Sequence, residues 1–385
     1  MECNIAELVV ETGSLYDHFM KMEDSRKKRG IRYSLPTLLL LIVLAKMCGE
    51  DKPYGIADWV QCRKDMLLAA LQLKYPRLPH HSTYERILES HEQTIDEAIS
   101  EFLGKLPAVE QSQIVTLDGK TARGTITKED RFGVHLLAAY LPEAGIVLKQ
   151  LPVEKEKENE IVVAPRLLES LNLEEKVVVG DAMQTQRALS SQIVSAGGDY
   201  VWIAKDNQPK TREAIELLFA PQKPVRGQGS PPMDFVSAQT IEKEHGRLEE
   251  RTITVSSMLN EYLDWPFVQQ VFKLERRFIY GSSGKVHHEI QYGLTSLSAK
   301  EAVPEKLLDL VRSEWGIENG LHYRRDVTFL EDKTRMTRKA MARAMACINN
   351  LIIALFFKQG FSNHARARRI FDANPFAALS LILRL

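Results

Sequence analysis

The chain has no surplus of charge of either sign. Lys plus Arg and Asp plus Glu number 51 each in 385 residues, which argues against bulk attraction to nucleic acid or to an anionic membrane and leaves local patches as the route to any such binding. Cysteine is scarce. Cys3, Cys48, Cys62 and Cys347 form no C-x-x-C pair, which argues against a disulfide framework and for a reduced setting. Cys62 with His80 and His81 fits no common zinc spacing. Long apolar runs are missing too. The greasiest stretch, LPTLLLLIVLAKMCG from Leu35, falls short of the ~20 residues that span a bilayer. It follows the basic KMEDSRKKRGIRYS, but the acids Glu23 and Asp24, the late position and the lack of an A-x-A-like cleavage site read as a buried helix rather than a signal peptide. The expectation is a soluble, cytoplasmic protein with no membrane partner.

What is present is a change of period along the chain. Residues 5–106 carry apolar residues at three- and four-residue spacing. Ser34 is a predicted N-cap before Pro36, ADWVQCRKDMLLAALQL reads as a helix, and Ser82 with Glu85 makes a capping-box pattern. From residue 113 short Val, Ile and Leu runs bounded by Gly, Pro and charges read as strands: QIVTLDGK, GVHLLAAYLP, GIVLKQLPV, KVVVGDA and DYVWIAKDNQP. PRLLESLNL and TQRALSSQIVSAGG read as helices between them, giving an α/β domain with a sheet covered by helices. PQKPVRGQGSPP is a loop or linker, and the alternating segments after it suggest a β-rich insert. Helical pattern resumes at AKEAVPEKLLDLV. The expected division is a helical N-terminal domain at 1–110, the first part of the core at 111–220, a β-rich insertion at 221–300, and C-terminal helices at 301–385 that complete the core.

Two of the strand-like runs end in an acid beside glycine, VTLDGK at Asp118 and VVVGDA at Asp181. A buried carboxylate is unfavourable unless paired or bound to a cation, and parallel-type sheets present ligands at the carboxyl ends of their strands. Asp118 also reads as a turn cap and Asp181 as a helix N-cap. A third acid comes from RSEWGIENGLHYRRDV, where Glu318, His322 and Arg325 fall at i, i+4 and i+7 on one helical face. Three hard oxygen ligands suit Mg²⁺ or Mn²⁺, and two such ions ~3.5–4 Å apart support phosphodiester chemistry. Asp326, Glu331 and Asp332 compete with Glu318 as the third acid.

TLDGKTARGT, VVVGDAMQTQ, GGDYVWIAKDNQP, EHGRLEERTI and WGIENGLHYRRDVTFLEDKTR, in that order, resemble the H-repeat-associated, ISAs-type group of DDE insertion-sequence transposases. The resemblance covers most of the chain. It implies an RNase H-like core with a β-strand insert before the last acidic helix, double-stranded DNA as partner at transposon ends and target, and a homodimer on that DNA in the bacterial cytoplasm, associated with the nucleoid. By motif it places the metal-binding triad on Asp118, Asp181 and Glu318, with two Mg²⁺ (or Mn²⁺) ions, and a basic residue two turns after the glutamate at Arg325. Trp315 and Asn319 match as residues that pack and orient the acidic helix. The chain departs from the pattern at Gln184 and Glu314, where the group has histidine, and at Tyr323, where it has tryptophan.

DNA contacts are expected from Lys120 and Arg123 beside Asp118, from Lys205 and Asn207 beyond a strand end, from Arg247 with His245 and Gly246 in the insert, and from Arg324, Arg325, Lys333 and Arg335. His322 joins Arg325 and Lys120 as a candidate contact to the reacting phosphate. Lys333 opens a basic tail that runs through HARARR to Arg384 with Asp372 its lone acid. RKKRGIR near the N-terminus either touches DNA or only flanks the first buried helix. The leading expectation is a transposase that cuts and joins DNA; a plain metal-dependent nuclease and a domesticated, inactive DNA-binding protein are the alternatives.

Overall fold

A computed structural model of the chain describes residues 10–29, 31–154, 158–221, 233–244, 247–280 and 284–385. Most of the linker PQKPVRGQGSPP, together with His245 and Gly246, lies outside the described residues.

Seven helices come first: α1 (Leu15–Lys21), α2 (Leu35–Met47), α3 (Pro53–Cys62), α4 (Lys64–Ala70), α5 (His81–Ser90), α6 (Glu92–Gly104) and α7 (Pro107–Gln111). Ser34 caps α2, its hydroxyl accepting the Thr37 N–H at 3.3 Å. Apolar residues on every side of α2 make it a core helix. Two local expectations are corrected. ADWVQCRKDMLLAALQL breaks at Arg63 into α3 and α4, because Arg63 turns aside to stack on Trp59 at 4.4 Å and to pair with Asp372 at 2.7 Å. Ser82 and Glu85 form no capping box: α5 begins earlier, with His80 as its cap, and Glu85 takes a contact from His81 at 3.0 Å.

The strands are β1 (Ile114–Ala122), β2 (Val134–Leu141), β3 (Ile146–Pro152), then α8 (Glu160–Glu169), β4 (Val177–Gly180), α9 (Arg187–Ser195), β5 (Asp199–Ala204) and α10 (Pro209–Phe219). Four long antiparallel strands follow: β6 (Val236–Glu244), β7 (Arg247–Ser256), β8 (Gln270–Tyr280) and β9 (Val286–Thr295). All nine lie in one sheet in the order β3-β2-β1-β4-β5-β9-β8-β7-β6. The later strands therefore extend the first sheet, joined through the antiparallel pair β5 and β9. Gly293 sits in that seam, where a Cβ would collide with the Phe272 ring and the Trp202 carbonyl.

Helix α11 (Pro304–Ile317) packs across β1, β4, β6 and β7, while α8 and α9 cover the opposite face. Beyond α11 the helix continues in wider turns, π-helical over Glu318–His322 and Arg324–Thr328. Three C-terminal helices, α12 (Lys339–Lys358), α13 (His364–Ala373) and α14 (Pro375–Arg384), pack back onto the N-terminal helices. Helix α12 is long and apolar enough to cross a membrane, but 83% of its most apolar window is buried in this fold against α2, α5, α6 and β3.

Charges are buried where these layers meet. Arg325, 1% exposed, donates to both oxygens of Glu331 at 2.7 and 2.8 Å, and Asn349 of α12 donates to the same carboxylate at 3.1 Å. Next to this pair, Lys46 of α2 and Arg368 of α13 both approach the Phe329 ring, their cationic groups 5.6 and 4.9 Å from its centre. Arg368 also holds Asp51 at 2.8 and 3.0 Å and the Thr328 carbonyl at 2.6 Å. The turn that follows Glu318 is thus tied to both terminal helical groups.

Two stability predictions follow from these contacts. Gly293→Ala is expected to destabilise by about 1–3 kcal/mol through overpacking against backbone, read by urea unfolding of the full chain. Arg325→Met leaves Glu331 buried and unpaired, at a loss of about 3–5 kcal/mol, whereas the double variant Arg325→Met/Glu331→Leu recovers most of it; equal losses in single and double variants would contradict the pairing.

Candidate active site

Asp118 lies in the middle of β1, not at its end. The sequence reading missed this because β1 has two neighbours of different length. Its parallel pairing with β4 stops at Leu117 opposite Gly180, while its antiparallel pairing with β2 runs on to Ala122. On the β4 side Asp118 is at a strand terminus; on the β2 side it is held in register against Ala138. Asp181 follows Gly180 directly and caps a short turn, accepting the Met183 N–H at 2.9 Å. That turn is fastened to the β5–α10 connection by Asn207, which donates to the Ala182 carbonyl at 2.5 Å, and by Gln208, which donates to Thr185 at 3.0 Å. Glu318 arrives from the far end of α11, where the π-helical turn begins.

The three carboxylates line one cleft of about 680 Å³, together with Glu314, His322 and Lys205. Ligand atoms of Asp118, Glu318 and His322 lie within 4.8 Å of one another. His322, buried, places Nδ1 at 3.2 Å from Asp118 and 3.7 Å from Glu318. Burial favours its neutral ring, but hydrogen bonds to the two carboxylates outweigh that and hold the imidazole above its usual range. The same contact holds Glu318 below the ordinary carboxylate range. Asp181 is raised, first by burial and then by the charge of Asp118. Two carboxylates and an imidazole in one tight group, with two more carboxylates on the cleft wall, form a donor set that fits a divalent cation of the Mg²⁺ or Mn²⁺ kind.

Glu314 is the functional candidate that a triad reading leaves out. It precedes Glu318 by one helical turn on α11, so the i, i+4 spacing already puts both on one face. Burial, with Asp181 nearby, pushes its carboxyl up to about 7. Gln184, the other departure, is buried on the far side of β4 and donates to Glu160 at 3.2 Å. Glu160 also meets His135 at 2.8 Å, and a Cβ on Gly119 would strike both. Gly119 therefore makes room for this Glu160–His135 contact under the sheet.

Several expected DNA contacts are engaged inside the protein. Arg325 faces Glu331, because the π-helical turns rotate it away from the cleft that an α-helical i+7 position would share with Glu318. Lys120 is buried and grips Asp326 at 2.6 Å, at the edge of the site. Arg324 lies over the Phe357 ring at 5.8 Å, half-buried. Part of the basic tail is matched internally, Arg338 by Glu89, Lys339 by Asp130, Arg343 by Glu92 and Arg368 by Asp51, while Arg366 and Arg369 of HARARR are exposed. Arg123, Lys205, Lys333 and Arg335 are exposed. Arg247 lies over the Phe278 ring at 5.1 Å in a neighbouring cleft of about 810 Å³. Trp315 is 54% exposed between the two clefts, with Arg276 at 5.3 Å from its ring, so it does not pack the acidic helix into the core.

Comparison with known proteins places this geometry. The description "Transposase DDE domain" matches residues 110–356, and "DDE_Tnp_1-associated" matches 16–103. YhhI of Escherichia coli (strain K12), whose name carries the words "H repeat-associated" and "transposase", is 26% identical over 96% of this chain and 98% of its own length. YbfL of the same strain matches at the same identity and coverage. YncI of Escherichia coli O157:H7, also named as a transposase, is 30% identical over 89% of this chain and 87% of its own. A solved piggyBac transposase synaptic complex with hairpin DNA overlaps 98% of this chain and 79% of that one, but at a TM-score of 0.43 and 11% identity the likeness is too loose to argue from. With the match spanning both the sheet and the carboxylate cleft, the chain belongs to the transposase DDE-domain family.

Proposed function

We propose that this protein is an active DDE transposase with an RNase H-like core, which cleaves phosphodiester bonds at insertion-sequence ends and joins the freed 3′-hydroxyl to target DNA. The observation that carries the reading is the convergence of Asp118, Asp181 and Glu318 on one cleft at the open ends of a parallel strand pair. In this reading the three carboxylates hold two Mg²⁺ or Mn²⁺ ions, which when bound supply Lewis acidity and lower the pKa of an attacking water. In the first step the water oxygen bonds to phosphorus and the P–O3′ bond breaks, leaving a 3′-hydroxyl. In the second, that hydroxyl attacks a target phosphate and displaces a 3′-oxygen there. Asp118 and Glu318 orient the reacting centre from two rigid elements. His322 holds a proton between them and is placed to exchange it with a group entering the cleft. Lys205 offers a cation at the cleft wall for an incoming phosphate. The reading includes a homodimer on paired double-stranded ends in the cytoplasm.

Asp118→Asn, Asp181→Asn and Glu318→Gln are each expected to lower Mn²⁺- or Mg²⁺-dependent nicking of end-labelled inverted-repeat DNA by about a hundredfold or more, with DNA affinity retained. Unchanged nicking in all three would sink the assignment. Cleavage without joined product favours a plain nuclease, and DNA binding with no metal-dependent cleavage favours an inactive binding protein.

Glu314→Gln provides a second check through metal binding alone. Because the Glu314 carboxyl ionises near pH 7, its charge is present at pH 8 and mostly absent at pH 6. The substitution is expected to weaken Mn²⁺ binding about tenfold at pH 8 and much less at pH 6, as read by electron paramagnetic resonance of free Mn²⁺. The same loss at both pH values would rule out a charge contribution from this residue.

A further inference from the structure

The cations of the basic tail, several of them paired internally, have a counterpart elsewhere. A second cleft, of about 970 Å³, opens in the N-terminal helices between the α1–α2 connection, the α4–α5 connection and the start of α5. It shares no lining residue with the carboxylate cleft. Arg26, Lys27, Arg29, Arg32, Arg77 and Arg86 line it, against one acid, Glu89. Glu89 is already matched by Arg338 at 3.0 Å, and Arg26 by Asp24 at 2.6 Å. Lys27, Arg29, Arg32 and Arg77 are exposed and have no ion-pair partner among the described residues.

Two further features point inward to a ligand. Tyr33, 9% exposed, lines the cleft with its hydroxyl buried and without a hydrogen-bond partner among the described residues. Helix α5 begins at the cleft, with Pro79, His80 and Thr83 on its wall and no acid in its first turn, so its positive end is uncompensated there. Like charges brought together from segments some fifty residues apart repel one another, and the fold sets only Asp24 and Glu89 against them, each already paired. Arginine is the main cation here, and its planar fork matches phosphate oxygens in pairs.

We propose that this N-terminal cleft is a docking site for the phosphate backbone of duplex DNA, separate from the carboxylate cleft. The proposal rests on DNA being the substrate, as in the function above. The cleft anchors the duplex electrostatically and reads no bases, while the carboxylate cleft carries the chemistry.

The test uses the full chain and fluorescence anisotropy with a labelled duplex across 50–200 mM salt. Arg32→Gln/Arg77→Gln removes one cation from each of the two connections. It is expected to make the slope of log affinity against log salt shallower by about 1.8, two phosphates' worth, and to weaken binding most at low salt, by about tenfold more at 50 mM than at 200 mM. Arg32→Lys/Arg77→Lys is expected to keep the wild-type slope, which controls for misfolding. Lys300→Gln/Lys306→Gln, with the same charge change on another surface, is also expected to keep it. An unchanged slope in the Gln pair, or an equal change in the Lys300/Lys306 control, overturns the proposal. Metal-dependent nicking by the wild type, measured on the same duplex, separates this outcome from failure of the enzymatic reading: nicking with an unchanged slope refutes the docking site alone, and a sloped response without nicking refutes the enzyme alone.

Discussion

The crowding of negative charge at the open edge between β1 and β4 is the constraint around which the rest of the structure is arranged. Two carboxylates about 4 Å apart repel by roughly 4 kcal/mol at an effective dielectric near 20, and this cleft collects Asp118, Asp181, Glu314 and Glu318. The protein offsets that in three ways. His322 places a raised imidazole between Asp118 and Glu318. Lys120 takes Asp326 out of the balance. Glu314 is pushed up to about 7, so that part of its charge is carried as a proton, and Asp181 is shifted upward as well. A site compensated by exchangeable protons and an imidazole is ready to trade them for a metal cation.

Holding such groups together requires a frame that cannot relax away from the repulsion. Asp118 is locked because β2 continues the strand past the point where β4 stops. Asp181 is locked by a turn stapled to Asn207 and Gln208. Glu318 is locked from behind, since the helix beyond it leads into the buried Arg325–Glu331 pair and the Phe329 ring with its two cations. Buried ion pairs contribute little net stability but impose one geometry. Here they join α2, α12 and α13 to the turn after Glu318, so the terminal helices bear directly on how the third carboxylate sits.

The order of strands and helices from Ile114 to Ala204 was legible because short apolar runs with Gly and Pro boundaries have few alternatives. Asp118, Asp181 and Glu318 stood out for a related reason: an acid at the end of an apolar run is conspicuous, and the resemblance named the third. What stayed hidden was set by partners far away in sequence. Nothing in TLDGK reveals that β2 outlasts β4, or that Glu160 fills the space beside Gly119. The π-helical turns after Ile317 move Arg325 off the face that a 3.6-residue period assigns to it, and propensity does not encode that change. That Arg338, Arg343 and Arg368 are engaged internally was equally hidden, because Glu89, Glu92 and Asp51, which pair with them, lie some 250 residues or more upstream.

That internal pairing bears on how a neutral chain handles a polyanion. Equal totals of 51 cations and 51 anions say nothing about where each sign is left over after internal pairing. In the carboxylate cleft the surplus is negative, with Asp118, Asp181, Glu314 and Glu318 on its walls. In the α1–α2 and α4–α5 connections it is positive, with four side chains unpaired among the described residues. A phosphate backbone is repelled by the bare carboxylate cleft and attracted by the N-terminal one, so charge alone gives binding and chemistry different addresses. Divalent cations in the carboxylate cleft would reverse its sign, and only then do both surfaces attract the same duplex. On this argument, duplex affinity at the N-terminal cleft is independent of metal, while entry into the carboxylate cleft is conditional on it.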